Sequence, residues 1–101
     1  MKRAVMLLAL ALPCGAALAD VTTAERQVQA QQLDAAEATL RAHLAGQPDD
    51  TAAQFLLARV LSWQGHPEQA LPIYRRLLQH QPDNADYLLG EGQALLWAGH
   101  P

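Results

Sequence analysis

Residues that can build a core recur along the second half of this 101-residue chain with a helical period. Between Thr51 and Gln64 the positions Phe55, Leu57, Ala58, Leu61 and Ser62 follow that spacing, and neither glycine nor proline interrupts them. Gly65 predicts the end of that helix, because glycine accepts the left-handed conformation that helix C-termini often need. Pro67 predicts the start of the next one, since the first helical position has no amide bond to lose. Ala70, Tyr74, Leu77 and Leu78 then form an i, i+4, i+7, i+8 stripe facing the first helix, and Pro82 ends the pair. A further helix is expected over Ala85 to Ala98. Nearer the N-terminus, Thr22 with Glu25 reads as a capping box, which predicts a helix from Thr23 to about Gln31. A second follows from Leu33 to Ala45, carrying Ala36, Leu40 and Leu44. Pro72 lies inside a predicted helix and cannot bond the Glu68 carbonyl, so a mild kink is expected there.

The pattern repeats every 34 residues. Pro48 and Asp49 return as Pro82 and Asp83, Leu61 and Trp63 as Leu95 and Trp97, and Gly65-His66-Pro67 as Gly99-His100-Pro101. Ala36, Arg41, Leu44 and Gln47 match Ala70, Arg75, Leu78 and Gln81 at the same offset. Two antiparallel helices joined by a short glycine-containing turn make one unit, and such units stack into a solenoid.

The segment Thr51 to Asn84 resembles one complete tetratricopeptide repeat (TPR). Leu57, Ala58 and Leu61 stand at the signature positions of its first helix, Ala70 and Tyr74 at those of its second, and Pro82 closes it. Gln54 replaces the usual aromatic residue. Residues 85–101 resemble the first half of another repeat through Leu88, Gly92 and Leu95, with Glu91 in place of a leucine and packing weakened accordingly. Residues 20–50 resemble a degenerate preceding repeat through Ala36, Leu40 and Pro48. The resemblance implies an all-α solenoid of about five helices and a concave groove that binds a protein or peptide. It places Ala52, Phe55, Arg59, Ser62 and Trp63 on that groove in one repeat, and Asp86, Leu89, Gln93, Leu96 and Trp97 in the next. Phe55, Arg59 and Trp63 are four apart and share a helix face, a line that Leu89, Gln93 and Trp97 repeat. Tryptophan and arginine dominate binding hot spots, which favours contact with a partner. Large aromatics at helical spacing also serve as packing between repeats, so both roles stay open for the tryptophans.

Composition changes this picture at the N-terminus. Lys2 and Arg3 precede an apolar run from Ala4 to Pro13, and Ala17-Leu18-Ala19 precedes Asp20. That order describes a secretory signal peptide over residues 1–19, cleaved after Ala19, with residues 20–101 exported to the periplasm. The run is about half the ~20 residues that a membrane-spanning helix needs. Proline directly before Cys14 suits a lipoprotein signal badly, so no lipid anchor is expected. Removal of the leader takes Lys+Arg from 7 to 5 against 10 acidic residues, a net charge of −5 with no lysine and no cysteine left. Such a surface suits neither phosphate backbones nor anionic lipid, and nucleic acid is not expected as a partner.

Catalytic and metal chemistry find no pattern. His43, His66, His80 and His100 show no i, i+4 pair, and no Gly-x-Ser-x-Gly, His-Glu-x-x-His or glycine-rich phosphate loop occurs. Asp49, Asp50, Asp83 and Asp86 fall at helix starts, where they complement the dipole. No catalytic residue, cofactor, metal or small-molecule substrate is expected.

Pro101 stands where a second helix would begin, so the helix carrying Leu88, Leu95 and Leu96 lacks a partner. The favoured expectation is the N-terminal part of a longer repeat protein; the other is self-association through the C-terminal helix. Residues 58–65 (Ala-Arg-Val-Leu-Ser-Trp-Gln-Gly) and 87–90 (Tyr-Leu-Leu-Gly) also look like repeats of bacterial outer-membrane proteins. In those proteins periplasmic TPRs precede a β-barrel linked to polysaccharide export. Three roles are implied: an envelope interaction scaffold, an assembly factor for envelope complexes or c-type cytochromes, and a small self-associating protein.

Overall fold

A computed structural model describes residues 20–99, so the predicted leader 1–19, Cys14, His100 and Pro101 lie outside the described residues. The described residues form five helices and no strand: α1 (Val21–Gln29), α2 (Leu33–Gly46), α3 (Thr51–Trp63), α4 (Pro67–His80) and α5 (Ala85–Trp97). None is long and apolar enough to cross a membrane. The period governs the backbone as well as the sequence. Helix α4 starts and ends 34 residues after α2, and α5 does so after α3. The turns closing α1, α3 and α5 each hold a residue with positive φ at the same register: Gln31 at 63°, Gly65 at 90° and Gly99 at 81°. The degenerate first repeat therefore keeps the turn and lacks its glycine.

Local chemistry explains the helix starts. The side chains of Asp50 and Asn84 accept hydrogen bonds from the amides of Ala53 and Tyr87, capping α3 and α5. Pro67 occupies the first position of α4, which continues through Pro72 to His80. The expected capping box at Thr22 and Glu25 does not form. Asp20 is the cap instead, its carboxylate accepting from the Thr23 amide, so α1 starts two residues earlier than expected and ends at Gln29. An aspartate two residues upstream outcompetes the threonine because an ionised acceptor bonds an orphan amide more strongly.

Each helix packs on its neighbours in the chain, and α3 also meets α1 and α5, two elements away on either side. The core accordingly centres on α3. Leu57, Ala58, Val60 and Leu61 are buried there against Leu40 of α2 and Ala70, Tyr74 and Leu77 of α4. Full burial of each such leucine contributes roughly 1.5–3 kcal/mol. Polar ties run along the edges: His43 Nε2 lies 2.7 Å from Asp50 Oδ2, and Gln64 Nε2 donates to Asp34 Oδ1 at 2.7 Å. Glu91, the substituted leucine of the last repeat, is half-buried and lies 3.6 Å from Arg75 Nε.

Three predictions follow from this packing. Two glycines of α5 should respond oppositely to alanine. A Cβ at Gly90 would stand 2.5 Å from Cε1 of the buried Tyr74 ring, whereas one at Gly92 meets nothing within 4 Å. Gly92→Ala should stabilise by up to about 1 kcal/mol through helix propensity. Gly90→Ala should destabilise by about 1–2 kcal/mol, because overpacking exceeds that gain. Thermal melts of the two variants test the contrast. Gln31→Gly should raise the melting temperature, since an L-residue in the left-handed region costs roughly 1–2 kcal/mol, only part of which is offset by the freer unfolded chain. The third concerns acid. The hydrogen bond from His43, then that from the Ala53 amide, holds the Asp50 carboxyl below its ordinary value of 3.8. Stability from Asp50 is therefore complete above that value and is lost as pH falls through the lower folded-state value. Asp50→Asn, which keeps a capping oxygen, should flatten the fall in melting temperature on acidification.

Candidate functional site

The first helices of successive repeats, α3 and α5, stand side by side with α4 behind them, and their shared face holds a concavity of about 430 Å³. Phe55, Arg59 and Trp63 line it from α3, and Leu89, Gln93 and Trp97 from α5, so one hollow receives both of the four-apart lines read from sequence. Ser62 and Asp86 join them. Ala52 and Leu96 do not: both are exposed outside the hollow. Ser62, the counterpart of Leu96, faces the hollow because α5 stands beside α3, whereas no helix among the described residues stands on the matching side of Leu96.

The side chains are held in a defined order. Phe55 meets Tyr74 edge-on at 6.2 Å and Tyr87 at 5.1 Å between ring centroids, which anchors it to the core. One turn along α3, the Arg59 guanidinium carbon lies 5.4 Å from the Phe55 ring centroid and 4.9 Å from that of Trp63. Cation–π attraction to each ring contributes about 0.5–1 kcal/mol at such exposed positions. Among the described residues Arg59 has no carboxylate within ion-pair distance. Its donors are therefore available to a ligand while its plane is fixed.

The tryptophans are partly exposed at the seams between repeats, and Trp63 also lines a hollow with Val28 and Leu33 of the preceding repeat. Trp63 is 41% exposed and Trp97 53%, one on each wall. Below them Tyr74 and Gly90 close the floor. The sequence placed Tyr74 in the core stripe and the repeat signature, and gave neither Tyr74 nor Gly90 a place in the groove. The signal for Gly90 was its register: it takes the place of the buried Leu56 one repeat earlier, and a side chain there would strike Tyr74. Burial pushes the Tyr74 hydroxyl above its ordinary pKa against the opposing pull of Arg59, so it remains a neutral phenol at the base of the groove. The signature residues Leu57, Ala58, Leu61, Ala70 and Tyr74 are buried. Pro82 and Gly92 are exposed, and Leu95 is half-buried.

This arrangement supplies two aromatic platforms, one oriented cation, one carboxylate (Asp86) and one primary amide (Gln93). It can stack apolar groups, accept and donate to a peptide backbone, and pair with a charge. Among the described residues no three histidine, cysteine, aspartate or glutamate side chains are grouped as a metal site would need.

Neither a curated protein nor a solved structure matches the chain. A family model described as tetratricopeptide repeat matches residues 27–89, more than half of the chain and the whole of α2, α3 and α4. With the five-helix architecture and the 34-residue register, this shows that the chain belongs to the tetratricopeptide repeat family, whose repeats generally serve protein–protein interaction.

Proposed function

We propose that this chain is an exported interaction module, working on the envelope side of a bacterial membrane, that holds a segment of a partner protein in the groove between α3 and α5. The observation that carries the reading is Arg59, stacked between Phe55 and Trp63 and facing Leu89, Gln93 and Trp97 across one hollow. Ordering a long side chain costs binding free energy, and here packing against two rings has already done the ordering. Exposed tryptophans beside an arginine are also the residue types that most often dominate binding.

The envelope setting draws its support from the sequence. The basic start, the short apolar run and Ala17-Leu18-Ala19 have the order of an export signal, and the net charge of −5 beyond it suits a soluble compartment better than an anionic surface. Within that setting, the likeness of residues 58–65 and 87–90 to the TPR regions of outer-membrane proteins favours a scaffold linked to polysaccharide export or outer-membrane function.

Two experiments test the proposal. Peptides selected from a displayed library against the purified chain should quench the fluorescence of Trp63 and Trp97 on binding. Arg59→Ala and Trp63→Ala should each weaken that binding by at least about tenfold with the melting temperature little changed. Selected peptides that bind both variants as tightly as the parent would overturn the groove assignment. Export is tested separately by N-terminal sequencing of the protein from fractionated bacteria. A periplasmic chain starting at Asp20 is expected; a cytoplasmic chain that keeps its leader would refute it.

A further inference from the structure

Another hollow, of about 320 Å³, lies on the far side of α3 from the groove and shares no lining residue with it. Gln54 and Leu57 line it from α3, roughly 150° around the helix from Phe55 and Arg59. Its walls are the second helices of two successive repeats, α2 and α4. Both have their chain neighbours in place, α2 between α1 and α3 and α4 between α3 and α5, and the space between them still stays open. Gln54 is the reason. It holds the signature position where an aromatic residue is usual, and its amide turns instead to the preceding loop, donating to the Pro48 carbonyl at 2.6 Å. A tryptophan at that position would fill the hollow from within, and glutamine does not.

The lining is chiefly apolar: Leu44 of α2, Leu57 of α3 and Ile73 of α4, with the rings of Pro48 and Pro72. Pro72 stands in the interior of α4, where proline removes a backbone hydrogen bond, and its ring is exposed on this wall. Neither proline ring has rotamer freedom to lose on contact. Two arginines edge the apolar surface, Arg41 from α2 and Arg76 from α4. Arg41 Nε lies 2.8 Å from Glu37, whereas Arg76 has no carboxylate within ion-pair distance among the described residues. Beyond the leader the chain has five arginines against 10 acidic residues, so this hollow runs counter to the overall charge. The next repeat differs at the corresponding place. There Glu91 replaces Leu57 and lies 3.6 Å from Arg75, the counterpart of Arg41, so the chain itself supplies the carboxylate.

We propose that this hollow is a second partner-binding site, separate from the groove, that takes one large apolar side chain flanked by carboxylates on an acidic segment of another protein. The apolar lining selects the bulk that position 54 withholds. The arginines select its neighbours, since guanidinium pairs carboxylate through charge-assisted hydrogen bonds. The chain's own leader fits badly, because Lys2 and Arg3 would meet two further cations.

Two-dimensional NMR of the purified chain, titrated with the acetylated and amidated pentapeptide Glu-Glu-Phe-Glu-Glu, tests this. The peptide should shift the signals of Leu44, Ile73 and Arg76 and leave those of the Trp63 and Trp97 indoles in place. Lys-Lys-Phe-Lys-Lys should bind there at least about tenfold more weakly, although the net charge of the chain favours it. Glu-Glu-Ala-Glu-Glu should lose a similar factor, about tenfold, for want of the buried ring. Gln54→Trp should weaken binding of the acidic phenylalanine peptide by at least about tenfold while keeping the circular dichroism, because it occupies the hollow and restores the usual residue. Arg76→Glu, at an exposed position, should cost about as much, roughly tenfold. No shift at the hollow overturns the proposal, as do shifts confined to the groove, equal binding of the basic peptide, or self-association of the chain that already covers Leu44 and Ile73. If Gln54→Trp loses helicity, Arg76→Glu decides: unchanged affinity overturns the site and the expected loss upholds it.

Discussion

The fold depends on a single crossing, where the Tyr74 ring of α4 lies against the backbone of α5 at Gly90. Tyr74 is almost completely buried, and the space it fills is the space a side chain at position 90 would need. That contact fixes how far apart successive repeats stand. The same ring meets Phe55 of α3, which in turn meets Tyr87 of α5, so three aromatic residues join the three helices that enclose the groove. Removing bulk at Tyr74 would leave a cavity, and adding it at Gly90 would force the helices apart. The stacking of repeats and the width of the groove are therefore one geometric quantity.

Around that crossing the remaining terms are local and modest. Asp20, Asp50 and Asn84 satisfy amides at helix starts, each an exchange of a water contact for a fixed one. The edge ion pairs, Arg41 with Glu37 and Arg75 with Glu91, lie at half-exposed surfaces where solvent weakens them. No disulfide can form among the described residues, which contain no cysteine. Apolar burial centred on α3 must then supply most of the stability of the described helices.

Much of this was legible in the sequence, for a physical reason. A solenoid repeats one packing problem, so each solution appears more than once, and identities at a fixed offset reveal core, turn and groove together. Leu57, Leu61, Ala70 and Tyr74 were readable as core because helical period and repeat register agree on them. Phe55, Arg59 and Trp63 were readable as one face from their spacing. What failed was what does not repeat. The cap at Asp20 has no counterpart to reveal it, and spacing alone favoured Thr22. Gly90 replaces Leu56, so the register pointed to a difference without giving its cause, which is a steric fact about a ring on another helix. The exposure of both tryptophans also required the structure, because a residue at a repeat boundary can turn either way.

Phe55 belongs at once to the lining of the groove and to the joint between repeats. Any ligand that presses on its outer edge also loads the contacts on its inner edge, with Tyr74 and Tyr87. A solenoid deforms by small changes in the angle between units, and its compliance is concentrated where units meet. The floor of this groove is thus an elastic element. A ligand seated there as proposed would load that joint, and through nearest-neighbour stacking the curvature of a repeat array would carry a record of what its groove holds.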